Sequence, residues 1–137
     1  MKTSVLDASA LLAMFFGEPG MEQVRDLFHR AADADKPLLI GAANWAEVLY
    51  KVERNRGRDG LQTARRFERT MPLEVAPLDR DIAESAAELK VAHNLGLADA
   101  FAAALAQSRK AELVTADTEF KALEKEIKIT WLASKAR

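Results

Sequence analysis

Residues 1–16 read MKTSVLDASALLAMFF. Ser4-Val5-Leu6 has the character of the end of a buried strand, and Ala10 to Phe16 is a second, almost uninterrupted apolar run. Between the two stand a carboxylate, Asp7, and a hydroxyl, Ser9. A buried, unpaired charge is expensive, so Asp7 must have a partner. Which partner it has decides both the fold and the chemistry of the chain.

The remaining 121 residues bound the answer. At 137 residues the chain is expected to form one domain, residues 1–137, large enough for a proper core. Hydrophobic residues at 49% and charged residues at 30% describe an ordinary globular protein. There is no cysteine, which excludes a disulfide framework and thiolate chemistry. No run of about 18 apolar residues suggests a membrane span. The opening run is broken by Asp7 and preceded by one basic residue, Lys2, so it reads as a first strand and not as a secretory leader. A cytoplasmic location is expected.

Turn and periodicity signals divide the chain into alternating elements. Thr3 to Leu6 is a strand, followed by a short helix that stops at Gly17-Glu18-Pro19-Gly20. Residues 21–34 carry Val24, Leu27, Phe28 and Ala31 at helical spacing, and Leu38-Leu39-Ile40 is a second strand. Helices are expected over 42–56 and 61–71, with a turn at Gly57–Gly60 between them. Leu73 to Ala76 is a third strand. Asp79 caps a helix bearing Ile82, Ala86 and Leu89, and an alanine-rich helix runs from about Leu97 to Arg109. Glu112–Thr115 is a strand, 118–125 a short helix and Ile127–Trp131 a last strand. Strands alternating with helices argue for an α/β fold around a mainly parallel sheet.

Four carboxylates fall where polar groups are least expected. Asp7 follows the first strand and Asp117 follows the strand LVT, so both stand at the carboxyl edge of the sheet, where α/β folds place their ligands. Asp99 opens the helix LADAFAAALAQ, and Glu47 lies in NWAEVLYKV. Each acid also has a local explanation. Asp7 and Asp117 suit helix caps, and Asp99 suits the first turn of a helix dipole. Glu47 is four residues before Lys51, a pair worth about 0.2–0.5 kcal/mol. None of these accounts for the apolar surroundings of all four.

Convergence would account for them. Several carboxylates in one cleft repel one another strongly at low dielectric and stay ionised together only around a cation. Oxygen-only ligands, without cysteine or a histidine nearby in sequence, suit Mg²⁺ or Mn²⁺. Such a site can bind a phosphodiester and orient a water. Ser9 and Thr115, each two residues from an acid, supply hydroxyls to hold carboxylates or water in place.

The stretches VLDASALLAMFFGEPG, NWAEVLYKV, GLADAFAAALAQ and LVTADTEFKAL, in this order, resemble the PIN-domain ribonucleases, and in size and element order their small VapC-type toxin members. The resemblance covers about Val5 to Leu123. It implies a three-layer α/β/α fold with a central, mainly parallel sheet of about four to five strands. It also implies that Asp7, Glu47, Asp99 and Asp117 form an acidic quartet that binds one or two Mg²⁺ or Mn²⁺ ions and activates water for RNA hydrolysis. Ser9 and Thr115 match the hydroxyl positions beside that site, and Asn44 matches a polar neighbour of the glutamate. Homodimerisation and silencing by a cognate antitoxin protein are implied as well.

Charge and aromatic residues complete the expectation. Lys51 to Arg69 holds seven basic residues against three acidic ones. Within it Lys51, Arg54, Arg56 and Arg58 are candidates to contact RNA phosphates, contacts that position without reading sequence. Trp45 and Phe120 read as core, with stacking on bases as the alternative, shared with Tyr50. His29 and His93 read as surface or structural residues. Two other functions compete. A haloacid-dehalogenase-type phosphatase needs a second acid two residues after its nucleophile, where this chain has Ser9. A non-catalytic scaffold on the same fold would need no metal.

Overall fold

The computed structural model describes residues 2–134. Its strands are β1 (Ser4–Leu6), β2 (Leu38–Gly41), β3 (Leu73–Ala76), β4 (Glu112–Thr115) and β5 (Ile129–Trp131). They form one sheet in the order β3-β2-β1-β4-β5, and every pairing is parallel. The central strands are continuous apolar runs because both faces of the sheet are covered. Val5 of β1 pairs with Leu39 and Leu113, and Leu6 with Ile40 and Val114.

Helices α1 (Ala8–Phe15), α2 (Met21–Ala34) and α3 (Ala42–Thr70) precede β3, while α4 (Arg80–His93) and α5 (Leu97–Ser108) follow it. Strand alternation sends successive side chains to opposite faces, and this sorts the core into two layers. Leu6, Leu38, Ile40 and Val114 pack with Val24, Leu27, Phe28 and Val48 from α2 and α3. Val5, Leu39 and Leu113 pack with Ile82 and Leu89 of α4, the alanines of α5 and the fully buried Phe120. The chain builds outward from β1 through β2 to β3, then returns across the sheet to β4. Right-handed crossovers put the returning helices on the other face.

That reversal creates a switch point between β1 and β4. At their carboxyl ends, on either side of it, stand Asp7 and the Thr115–Asp117 segment. Crevices at such points are the natural ligand sites of open α/β sheets.

Four local readings are corrected. The break expected after Arg56 is present, with α3 kinked into two helical segments at Gly57 (φ 70°, ψ −166°), but it takes this one residue and not the whole of Gly57–Gly60. One glycine suffices to bend the helix while Val52, Leu61 and Ala64 stay buried. The last strand begins at Ile129, not Ile127, because the Ile127 amide still closes a turn onto the Leu123 carbonyl at 3.0 Å. Trp45 is half-buried against the α2–α3 layer, so only Phe120 is full core. The helix expected at 118–125 is a 3-10 helix, Thr118–Leu123.

Gly57 occupies a backbone region open essentially to glycine alone. Gly57→Ala should therefore destabilise the protein by about 1–3 kcal/mol in urea unfolding. Helix propensity taken alone predicts the opposite, a gain of about 1 kcal/mol.

Candidate active site

Asp7 ends β1 and caps α1, and it is 1% exposed. Its Oδ1 accepts hydrogen bonds from the Ser9 hydroxyl at 2.7 Å and the Ala10 amide at 3.0 Å. Its Oδ2 accepts one from the Thr115 hydroxyl at 2.6 Å. The helix cap and the functional reading are thus served by the same carboxylate. The hydroxyls are themselves fixed by the opposite strand end: Ala116 N–H donates to Ser9 Oγ at 3.1 Å and Asp117 N–H to Thr115 Oγ1 at 2.9 Å. β1 and β4 are therefore latched together at the switch point through the side chains that orient Asp7.

A cavity of about 300 Å³ opens above this latch. Asp7, Ser9, Glu47, Asp99 and Asp117 line it, together with Phe16, Glu18 and Lys51. The four acids expected from the sequence therefore meet in one place. They are not equivalent within it. Oxygens of Asp99, Asp117 and Glu119 lie within 4.8 Å of one another, close enough to share one cation. Glu47 instead pairs with Lys51, 2.8 Å away.

Glu119 was missed by sequence reasoning, and so was Glu18. The signal for Glu119 lies in the Asp117 cap: Asp117 Oδ1 accepts the Glu119 amide at 2.9 Å, and the resulting tight turn sets a solvent-exposed acid beside Asp99 and Asp117. A helix read as α-helical would have spaced these residues differently.

The electrostatics show the strain of this assembly. Burial, opposed by the three hydrogen bonds, pushes Asp7 up to about 6. Burial also raises Asp99, followed by its hydrogen bond to Glu119 and repulsion from Asp117 and Asp7, to about 8. A proton on Asp99 thus relieves the crowding at neutral pH. The nearby Glu47 and the acid cluster hold Lys51 above its ordinary range, the hydrogen bond to Glu47 being the main cause.

Asn44 is 1% exposed, in the first turn of α3 and one turn before Glu47. Neither its amide nitrogen nor its oxygen has a hydrogen-bond partner among the described residues. Arg54 and Arg56 sit outside the cavity, and Arg58 pairs with Glu53 at 3.5 Å. His93 meets Glu126 at 3.3 Å, and His29 is exposed. Among the described residues no helix is long and apolar enough to cross a membrane.

The topology agrees with the comparisons with known proteins. The PIN domain model matches residues 4–126, and the chain belongs to the PIN domain family. Among solved structures it is similar to a DNA-bound VapBC from Salmonella typhimurium, with TM-score 0.78 and 22% identity over 95% of this chain and 98% of that one. It is similar to VapBC2 from Rickettsia felis bound to a promoter DNA fragment, with TM-score 0.77 and 17% identity over 96% and 99%. A third is VapC20 of Mycobacterium tuberculosis, described as a sarcin-ricin loop-cleaving toxin, with TM-score 0.71 and 20% identity over 88% and 94%. At these identities the likeness is one of fold. No curated protein sequence matches the chain.

Two outcomes follow from the site. Between about pH 4 and pH 6 folded Asp7 keeps a proton that the unfolded chain has lost, and Asp99 extends this to about pH 8. The folded state then binds more protons than the unfolded one, so in EDTA the urea midpoint should fall as pH rises across this window. Asp99→Asn should flatten the upper part of that fall. Replacing the orphaned Asn44 amide by an apolar group of similar size, Asn44→Leu, should raise unfolding free energy by about 1 kcal/mol.

Proposed function

We propose that this PIN-domain protein is a divalent-cation-dependent ribonuclease that acts as the toxin of a toxin–antitoxin pair. The observation that carries the reading is the convergence of Asp99 and Asp117 with buried Asp7 in a cavity at the switch point, with exposed Glu119 offering an oxygen within 4.8 Å of those of Asp99 and Asp117. The donor set fits a hard cation, being all oxygen with three carboxylates in contact. Asp7, Asp99, Asp117 and Glu119 would hold Mg²⁺ or Mn²⁺. When bound, the ion supplies a Lewis acid for the phosphoryl oxygens and lowers the pKa of an attacking water.

The chain's own residues do the rest. Ser9 and Thr115 fix both oxygens of Asp7, so its orientation survives the arrival of substrate. Asp99 must give up its proton before the cluster takes a cation, which makes metal affinity rise with pH. Lys51 neutralises Glu47 at the wall of the cavity and leaves a less negative approach for a phosphodiester. Arg54, Arg56 and Arg58, farther along α3, extend that approach.

The partners are read in the same way. The solved relatives include toxin–antitoxin complexes, one from Klebsiella pneumoniae, and a cognate antitoxin presenting a basic group to these carboxylates fits the same charge logic. Val91, 86% exposed on α4, and Leu97, 57% exposed on α5, support a homodimer. One PIN unit across residues 1–137, working in the cytoplasm, completes the reading.

The test uses antitoxin-free protein and a pool of structured and single-stranded RNA. Cleavage should require Mg²⁺ or Mn²⁺, stop in EDTA, and fall at least about a hundredfold in Asp7→Asn with the fold retained by circular dichroism. Full activity of Asp7→Asn would overturn the assignment of Asp7. Absence of both cleavage and metal binding in the unaltered protein would favour the non-catalytic scaffold.

A further inference from the structure

Two guanidinium groups on α3 lie over aromatic rings at the rim of the acidic cavity. Arg56 Cζ is 5.1 Å from the ring centroid of Phe16, and Phe16 lines the cavity. Arg54 Cζ is 5.0 Å from the ring centroid of Tyr50, which is 46% exposed and adjoins Lys51, another cavity residue. The bend of α3 is built around this placement. Gly57 turns the helix immediately after Arg56, and a Cβ on Gly60 would meet the Arg56 Cβ at 2.6 Å. A side chain at Gly60 would displace Arg56, whereas at Gly57 an added Cβ meets no atom within 4 Å and only the positive φ disfavours it.

The charges of Arg54 and Arg56 are left over. Glu47 is engaged by Lys51 and Glu53 by Arg58, and no ion pair is formed by Arg54 or Arg56 among the described residues. A guanidinium already lying on a ring is a flat, cationic, weakly hydrated surface. Both rings stand beside a cleft whose carboxylates repel anions. A basic group on a partner peptide would satisfy the carboxylates but leave the arginines unmatched. A nucleic acid strand matches both features, since its phosphates meet the cations and its bases offer planar faces.

Resting on the ribonuclease reading above, we propose that Arg56 on Phe16 and Arg54 on Tyr50 form a stacking platform that holds unpaired bases of the RNA beside the acidic cavity. The two pairs position the strand; they do not touch the reacting phosphate. A base inside a double helix has no free face to offer, so the platform selects unpaired nucleotides.

The experiment measures fluorescence anisotropy of the full chain in Ca²⁺, with strand integrity checked on a gel. The probes are a fluorescein-labelled single-stranded RNA of mixed sequence and an abasic ribose-phosphate strand of equal length. Arg56→Lys, which keeps the charge and removes the plane, and Tyr50→Ala should each weaken binding of the base-bearing strand roughly tenfold or more. The abasic strand should lose about twofold or less, since its phosphate contacts persist. Both positions are exposed or at the surface, and melting curves confirm that the variants fold. Equal losses on the two strands would overturn the platform and make these residues simple phosphate contacts. Unchanged RNA affinity would overturn it too and assign the surface to a protein partner. In either failure, metal-dependent cleavage by the unaltered protein still stands or falls by its own assay.

Discussion

Asp7 is a carboxylate closed off from solvent, yet none of its hydrogen bonds comes from a cation. Two hydroxyls and a backbone amide hold it, and the hydroxyls in turn accept amides from the far side of the switch point. Because neutral donors offset burial only partly, the group remains poised near the middle of the physiological range. The arrangement joins fold and chemistry in one set of contacts. Breaking it would separate the ends of β1 and β4 as well as disorient the acid.

The rest of the cavity can be understood as a response to that fixed charge. Asp117 is brought next to it by the register of β4 against β1, and Asp99 by the packing of α5 on the sheet. Glu119 follows from the tight turn that Asp117 itself caps. Each acid has a conventional structural task in addition, as cap or first-turn residue. Local stability and function therefore draw on the same side chains, which is why the crowding persists without unfolding the edge of the sheet.

Much of this was legible in the chain. An aspartate straight after the first buried run, and another straight after LVT, placed two acids on one sheet edge because side-chain and strand periodicities allow little else. The parallel α/β architecture followed from the alternation of short apolar runs with helical spacing. What escaped was set by single residues. Gly57 divides α3 where composition announces a break, but one glycine at positive φ is indistinguishable in sequence from a longer turn. Glu119 went unnoticed, because its approach to Asp99 and Asp117 depends on 3-10 geometry that no periodicity announces. The isolation of the Asn44 amide depends on what surrounds it in three dimensions, and so has no sequence signature at all.

The alanines of α5 carry a further consequence. Ala100, Ala102, Ala103, Ala104 and Ala106 are all buried, so small side chains let α5 pack closely against its neighbours, with Leu105 reaching Gly41 of β2. The height at which Asp99 stands above the strands is accordingly set by close packing, much of it at alanines, which leaves little slack to absorb a change. Magnesium and calcium differ in their oxygen distances by only about 0.3–0.5 Å. One added methylene beneath α5 would lift Asp99 by a comparable step. Discrimination among hard cations would then be controlled from the hydrophobic interior, at residues that never meet the ion.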